Sequence, residues 1–388
     1  MRADHPTLPG LGLDDTTLKA VWDGFHPPRL TQARHLAGLT KKEVAQGIGV
    51  SPAAIGQYET GSSKPRVGLI PRLAEVLDVP VQFFLAGRPM GKLDTSMAHF
   101  RALRSTSGAQ RNTALGFAGQ TWELTYALEK RVRLPLVDLP GFAGGEIHPG
   151  TEIPADPVGA ARELRKRWQL GRGPLRHLVR QMEAHGIVVV SPPEADHATV
   201  KIDAFASGGL PRPLVVLTPN RADDVYRHRF SAAHELGHLV LHAASTGDAR
   251  QEREANAFAA EFLTPRTSIL PLLPGRMDLA QLADLSRTWG VSVKSLIYRC
   301  RELGLASEAT ASRAYQRLNA LISQPGFSAE PVSGFPGEQP VMLRQAFELA
   351  ESDQGLTIHD LARELAWKPA RVRELLGMPD SRPVLRLV

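Results

Sequence analysis

The run Phe230 to His242, FSAAHELGHLVLH, restricts the fold more tightly than any other stretch of the 388 residues. His234 and His238 stand four apart with Glu235 beside the first. On a helix, positions four apart sit one turn up and about 40° round, so both imidazoles can converge on one ion. Phe230, Ala233, Gly237, Val240 and Leu241 form an apolar stripe beside them, which predicts a half-buried helix rather than a loop. Glu235 is placed to reach a water on such an ion and take its proton. The chain has a single cysteine, Cys300. A thiolate cluster and an internal disulfide are therefore excluded, and any metal rests on histidine and carboxylate.

A third protein ligand has to come from elsewhere. His242 lies four residues past His238, but on a continuous helix it falls about 80° round from His234, and it reads as a polar helix-end residue. The following segment, QEREANAFAAEFLTP, predicts a helix with Ala255, Phe258, Ala259 and Phe262 on its apolar face. Glu252 and Glu254 both flank that face, so helical phase does not choose between them. Asn256, one turn past Glu252 on the same side, can supply the hydrogen bond that orients a ligating residue, which favours Glu252. Glu254 is the alternative.

Length predicts two or three domains at about 150 residues each. Thirty prolines and 34 glycines without a period fit Pro/Gly-rich joints between folded units. Helical periodicity runs from Pro27 to about Leu85, after a tail of some 25 residues. Further amphipathic helices are expected over 97–132, where Phe117, Trp122, Leu124, Tyr126 and Leu128 supply core-sized side chains. Residues 135–157 have the composition of a joint. Helices over 158–170 and 175–185 precede three β-rich runs at 187–190, 199–206 and 213–218. Helices resume at Ala222 and continue past Leu303. Residues 324–340, rich in Pro, Gly and Ser, read as a linker, and a last helical unit follows. No apolar run approaches the length of a membrane span, and the start MRADHPTLPGLGLDD lacks the pattern of a secretory signal, so no membrane partner and a cytoplasmic location are expected. The net charge of +6 is compatible with a polyanionic partner.

Between Arg29 and Val76 the pattern is helix, helix, short turn, helix, helix. Thr40 with Glu43 forms a capping box signal, Gly49 and Val50 make a tight turn, and Ser51 caps the next helix with Pro52 in its first turn. Seven Lys/Arg against three Glu between Arg29 and Leu77 give a local charge of +4. The segment LTKKEVAQGIGVSPAAIGQYETGSSKPRVGLIPRLAEVLDV resembles the XRE (lambda-repressor-like) helix-turn-helix family across the whole domain. The VS turn, the ending Ile55, Tyr58, Glu59, Gly61 and the pair Lys64, Pro65 fall in order. The resemblance implies that Ser51, Ala53, Ala54 and Gln57 face base edges, while Lys42, Lys64 and Arg66 lie near phosphates. Gln57 suits adenine, and Ala53 and Ala54 suit a thymine methyl.

From about Val158 to Pro265 the chain is similar to the ImmA/IrrE family of metallopeptidase-like proteins. The carriers are RHRFSAAHELGHLVLH and EREANAFAAEFLTP, in which Thr264 stands where many members have Met. The resemblance implies Zn2+ on His234, His238 and Glu252, with Glu235 polarising water to cleave a peptide bond. The expected fold class is α+β and mostly helical. Its parts are an XRE-type DNA-binding domain at 27–88, a helical connector at 95–134, a zincin-like domain with a small three-stranded sheet at 155–305, and a helical C-terminal region at 306–388. The helix pairs at 278–303 and 357–376 repeat the helix, turn, helix rhythm and are read as completing a core or a dimer face. The implied function is a transcriptional regulator, expected as a homodimer on double-stranded DNA, with a zinc-dependent metallopeptidase domain acting on a repressor or sensing a signal. The alternatives are a non-catalytic zinc- or ligand-sensing transcription factor, and a stand-alone peptidase whose front domain recruits a protein substrate. Tyr226, His228 and Arg229 are read as packing or salt-bridge residues rather than transition-state stabilisers.

Overall fold

A computed structural model describes residues 15–90, 108–143, 146–147, 152–192, 204–217, 224–242, 248–324 and 329–378. In chain order they form α1 (Asp15–Asp23), α2 (Pro27–Leu36), α3 (Lys41–Ile48), α4 (Pro52–Thr60), α5 (Ile70–Val76), α6 (Gly108–Glu129), β1 (Phe142–Ala143) and β2 (Glu146–Ile147). Then come α7 (Pro157–Arg167), α8 (Leu178–Ala184), β3 (Val188–Val190), β4 (Ala204–Ser207), β5 (Leu214–Leu217), α9 (Val225–Leu241) and α10 (Ala249–Leu263). The rest are α11 (Arg266–Ile269), α12 (Leu279–Trp289), α13 (Val293–Glu302), α14 (Glu308–Ile322), α15 (Met342–Gln354), α16 (Ile358–Leu365) and α17 (Pro369–Leu375). The fold is α+β and mostly helical. Among the described residues, no helix is long and apolar enough to cross a membrane. Two compact units emerge, one drawn from 1–91, 106–132 and 344–388, the other from 92–105 and 133–343.

In the first unit, the α3–α4 turn forms where its chemistry dictates. Thr40 and Glu43 close a reciprocal capping box at the start of α3. Gly49 ends that helix at φ +75°, a left-handed position that glycine adopts without Cβ strain, and Ser51 caps α4. Leu30, Val44, Ile48, Ile55, Ile70 and Leu73 are buried together as the small core. The domain starts earlier than periodicity predicts. Helix α1 buries Leu18 and Val21, and the Trp22 indole donates to the Pro65 carbonyl at 2.8 Å. Nine residues with two inward aliphatics are too few to register as a period.

One helix, α6, occupies the described part of the expected 97–132 stretch, of which 97–107 lie outside the described residues. Its Phe117, Leu124 and Leu128 are buried, but Tyr126 is exposed, with the Lys130 ammonium 4.8 Å from its ring centre. Glu123 is buried on α6 and takes hydrogen bonds from Arg29 and, at 2.8 Å, Gln32. The α16–α17 pair packs its Leu361, Leu365 and Val372 inward. Glu364 pairs with Lys130 at 3.0 Å and Arg131 at 2.6 Å, and Arg371 donates to Gln120 at 2.8 Å. That pair therefore completes this unit's core.

The second unit is built on a small sheet in the order β3-β5-β4, with β5 parallel to β3 and antiparallel to β4. The three runs expected at 187–190, 199–206 and 213–218 supply these strands, and 199–203 and 218 lie outside the described residues. Every strand residue is buried, as in a sheet covered on both faces. Helix α9 packs on β4 and β5, and α10 crosses α9 closely at Gly237, where an added Cβ would meet the Phe258 ring at 3.0 Å. Leu282, Leu296 and Cys300 of α12 and α13 sit in the same core.

The Pro/Gly/Ser-rich stretch read as a linker is, over 329–341, a packed strap on this unit. The Glu330 carbonyl accepts from the Val225 N–H at 2.9 Å, and its carboxylate from the Tyr226 hydroxyl at 3.0 Å. Glu338, 2% exposed, accepts the N–H groups of Leu178 and Val179 and pairs with Arg229. Glu183 in turn accepts the Val341 and Met342 N–H groups at 2.9 Å each. Gly337 has no room for a Cβ, which would fall on the His177 ring. Composition misleads here because short turns around Pro331 and Pro336 carry no amphipathic period, while the groups that fix them lie some 110 to 160 residues away. Removing one partner of a buried ion pair such as Arg229–Glu338 costs on the order of 3 to 5 kcal/mol.

Candidate metal centre

Helices α9 and α10 bring three side chains to one point. The Nε2 atoms of His234 and His238 are 3.1 Å apart. The Glu252 carboxylate reaches them through separate oxygens, at 3.4 Å from His234 and 3.5 Å from His238. For a tetrahedral ion with bonds of about 2.0 to 2.1 Å, ligand atoms are separated by about 3.3 Å. The three contacts, made by two imidazole nitrogens and the two oxygens of one carboxylate, each lie near that separation, and this donor set suits zinc. Among the described residues, His234, His238 and Glu252 are the group of three with metal-ligand chemistry at such spacing.

Each imidazole is held from behind. His234 Nδ1 lies 3.0 Å from Asn256 Oδ1, the hydrogen-bonding role anticipated for Asn256 but directed at the histidine. His238 Nδ1 lies 3.0 Å from Nδ1 of His242. Helix α9 stops at Leu241, and His242 takes an extended backbone at φ −125°, so the phase argument for a continuing helix does not apply to it. Glu254, the alternative third ligand, instead reaches His242 Nε2 at 3.0 Å and Arg250 Nε at 2.7 Å.

Glu235 is 5% exposed. Burial pushes its carboxyl up to about 8, and the Glu252 charge pushes the same way, while His234 and a hydrogen bond from the Ala206 backbone of β4 oppose. Its Oε2 has no hydrogen-bond partner among the described residues. A buried carboxyl oxygen next in sequence to His234, without a hydrogen-bond partner among the described residues, suits proton transfer with a water. Burial lowers the His238 imidazole to about 4, so it is a neutral donor at physiological pH. Burial raises the Glu252 carboxyl, but hydrogen bonds with His234 and His238 outweigh it and hold Glu252 below the usual carboxylate range. Tyr226, His228 and Arg229 are all engaged by the strap at Glu330 and Glu338. Thr264 is buried, and its hydroxyl donates to the Ala260 carbonyl at 2.7 Å, a packing role.

With this geometry in view, residues 182–301 match the IrrE N-terminal-like domain family, Peptidase M78. Residues 30–84 match the helix-turn-helix family HTH_3. The chain joins an XRE-type helix-turn-helix domain to an ImmA/IrrE-like domain. No curated protein matches it. The M78-type segment contains β3 to β5 and all of α9 and α10, hence both halves of the triangle.

In the XRE-type domain, Ser51 at the N-cap of α4 and Ala53 and Gln57 on the helix are exposed, and Ala54 is half-buried. The Ser51 hydroxyl accepts the Ala54 N–H at 3.2 Å, so it serves first as the helix cap. Lys42, Arg66 and Arg72 are exposed. The positive charge counted in this domain is partly used internally, because Arg29 is buried against Glu123 while Arg34 and Lys41 pair with Glu59. Lys64 donates to the carbonyls of Trp22 and Asp23, at 3.3 and 3.1 Å, and lies over the Trp22 ring. Its ammonium tethers α1.

Proposed function

We propose that the chain is a DNA-binding transcriptional regulator whose M78-type domain is a zinc-dependent peptidase, acting on a repressor or other protein partner. The observation that carries the reading is the grouping of His234, His238 and Glu252, together with a Glu235 Oε2 that has no hydrogen-bond partner among the described residues. A site that only held the fold together would be closed by a fourth protein ligand and would not need that carboxylate.

His234, His238 and Glu252 would hold the ion. When bound, zinc supplies Lewis acidity, which polarises the scissile carbonyl and acidifies a water. Glu235 accepts the proton of that water at Oε2 as the oxygen adds to the carbonyl carbon. It would then deliver that proton to the departing amide nitrogen as the C–N bond breaks, and the second proton of the water follows to the amine, so one water is consumed and a carboxylate and an ammonium are released. The raised pKa suits a group that takes and returns a proton near neutral pH. Asn256 orients His234 throughout. The reading is tested by incubating the zinc-loaded protein with candidate repressors, wild type and Glu235→Gln side by side, and identifying fragments by mass spectrometry.

On the DNA side, α4 presents Ala53, Ala54 and Gln57 to base edges while Lys42 and Arg66 meet phosphates. Replacing both Lys42 and Arg66 by alanine is expected to weaken binding to specific and unrelated DNA alike and to reduce the slope of log K against log salt by about two units. Binding titrations at several salt concentrations check this. An unchanged slope would place the interface on another surface.

A further inference from the structure

We infer that Glu254 and His242 form a positioning relay that fixes the tautomer of His238, so that its Nε2 lone pair is presented to the metal. The inference rests on the metal-site reading above and deepens it. Glu254 is ion-paired with Arg250 and acts only as an acceptor when ionised. The ring nitrogen facing it, His242 Nε2 at 3.0 Å, therefore carries the proton. In a neutral imidazole the other nitrogen is then an acceptor. That nitrogen, His242 Nδ1, lies 3.0 Å from His238 Nδ1, which must donate. With its proton on Nδ1, His238 has a bare Nε2, the atom in the triangle with His234 and Glu252.

The reverse arrangement defeats ligation. A proton on His242 Nδ1 would be donated to His238 Nδ1, and His238 would then carry its hydrogen on Nε2, aimed at the other two ligands. The carboxylate on α10 thus selects the coordinating form of a histidine on α9 through one intervening ring. His242 is buried, 6% exposed, which shields the relay from competing water. Asn256 does the same for His234 in one step, with Oδ1 accepting from Nδ1. Neither His242 nor Glu254 touches the metal position, so both are positioning residues.

The test compares His242→Phe with His242→Gln in the full chain. Phenylalanine fills the space but accepts no hydrogen bond, whereas glutamine offers an amide oxygen to His238 Nδ1. Zinc affinity, measured by competition with a chromophoric chelator, is expected to fall about 10- to 100-fold in the Phe variant and to stay near the wild-type value in the Gln variant. Side-chain nitrogen NMR of the zinc-loaded wild type should show His238 protonated at Nδ1 and His242 at Nε2. Unchanged affinity in the Phe variant, equal losses in both variants, or the opposite tautomers would overturn the relay. His234→Ala separates the two levels. If it keeps wild-type affinity, the metal site itself fails and the relay with it. If it loses zinc while His242→Phe does not, the relay alone fails.

Discussion

His234→Ala is expected to abolish stoichiometric zinc. Wild-type protein, exposed to zinc and then desalted, should retain about one ion per chain, as a site with three protein ligands does. The variant should retain almost none. The reason is the economy of the triangle. With the imidazole gone, only His238 Nε2 and one carboxylate remain, and the nitrogen that stood 3.1 Å from the one and 3.4 Å from the other is lost. The loss should exceed the 10- to 100-fold expected of a change behind the ligands. His234 is half-buried and outside the apolar cluster of Leu236, Leu239 and Phe258, so the helix should survive. Circular dichroism is the control. Full zinc retention in a folded variant would eliminate this ligand set.

Glu235→Gln separates binding from chemistry. The glutamine amide keeps the size of the carboxyl but cannot take a proton, and Glu235 is not in the triangle. Zinc content should be unchanged, while cleavage of a protein substrate should fall by about 10²- to 10⁴-fold, the usual contribution of a positioned general base. Fragments appearing at the wild-type rate would refute the assigned base. A second readout needs no substrate. In zinc-free wild type, the folded-state pKa of Glu235 lies above its ordinary value, at about 8 against 4.5. The folded protein then holds this proton more tightly than the unfolded chain, so the associated stability is present in full below pH 4.5 and is lost as pH rises toward 8. The zinc-free Gln variant lacks that loss. Its denaturation midpoint should fall less than that of wild type between those pH values.

Much of this arrangement was legible in the sequence, for identifiable reasons. Spacing of four on a helix brings His234 and His238 together, and the apolar face of Ala255, Phe258, Ala259 and Phe262 marks the helix that delivers Glu252. The histidine pair and the apolar face are local periodicities, which survive folding, whereas the choice of Glu252 over Glu254 rests on Asn256 one turn on. Capping chemistry likewise marks α3 and α4 through Thr40, Glu43 and Ser51. What escaped depends on partners remote in sequence or on where a helix stops. His242 lies behind His238 because α9 ends at Leu241 and the backbone turns extended, which no helical wheel shows. Glu338 sits in a stretch with the composition of a linker, yet it caps α8 and pairs with Arg229, contacts that exist only after the chain folds back. Charge counting also overstated the free basic surface of the XRE-type domain. Arg29 is matched by Glu123, 94 residues away, and Lys64 is held by the backbone of α1.

On the proposed reading, α9 and α10 form an open metal site with a proton acceptor beside it. Crystals grown with zinc, with anomalous data collected at its absorption edge, test it most directly. One strong peak per chain is expected, about 2.0 to 2.2 Å from His234 Nε2, His238 Nε2 and a Glu252 oxygen, with a solvent molecule as the remaining ligand within hydrogen-bonding reach of Glu235. A peak elsewhere, or a fourth protein side chain closing the coordination sphere, would contradict it.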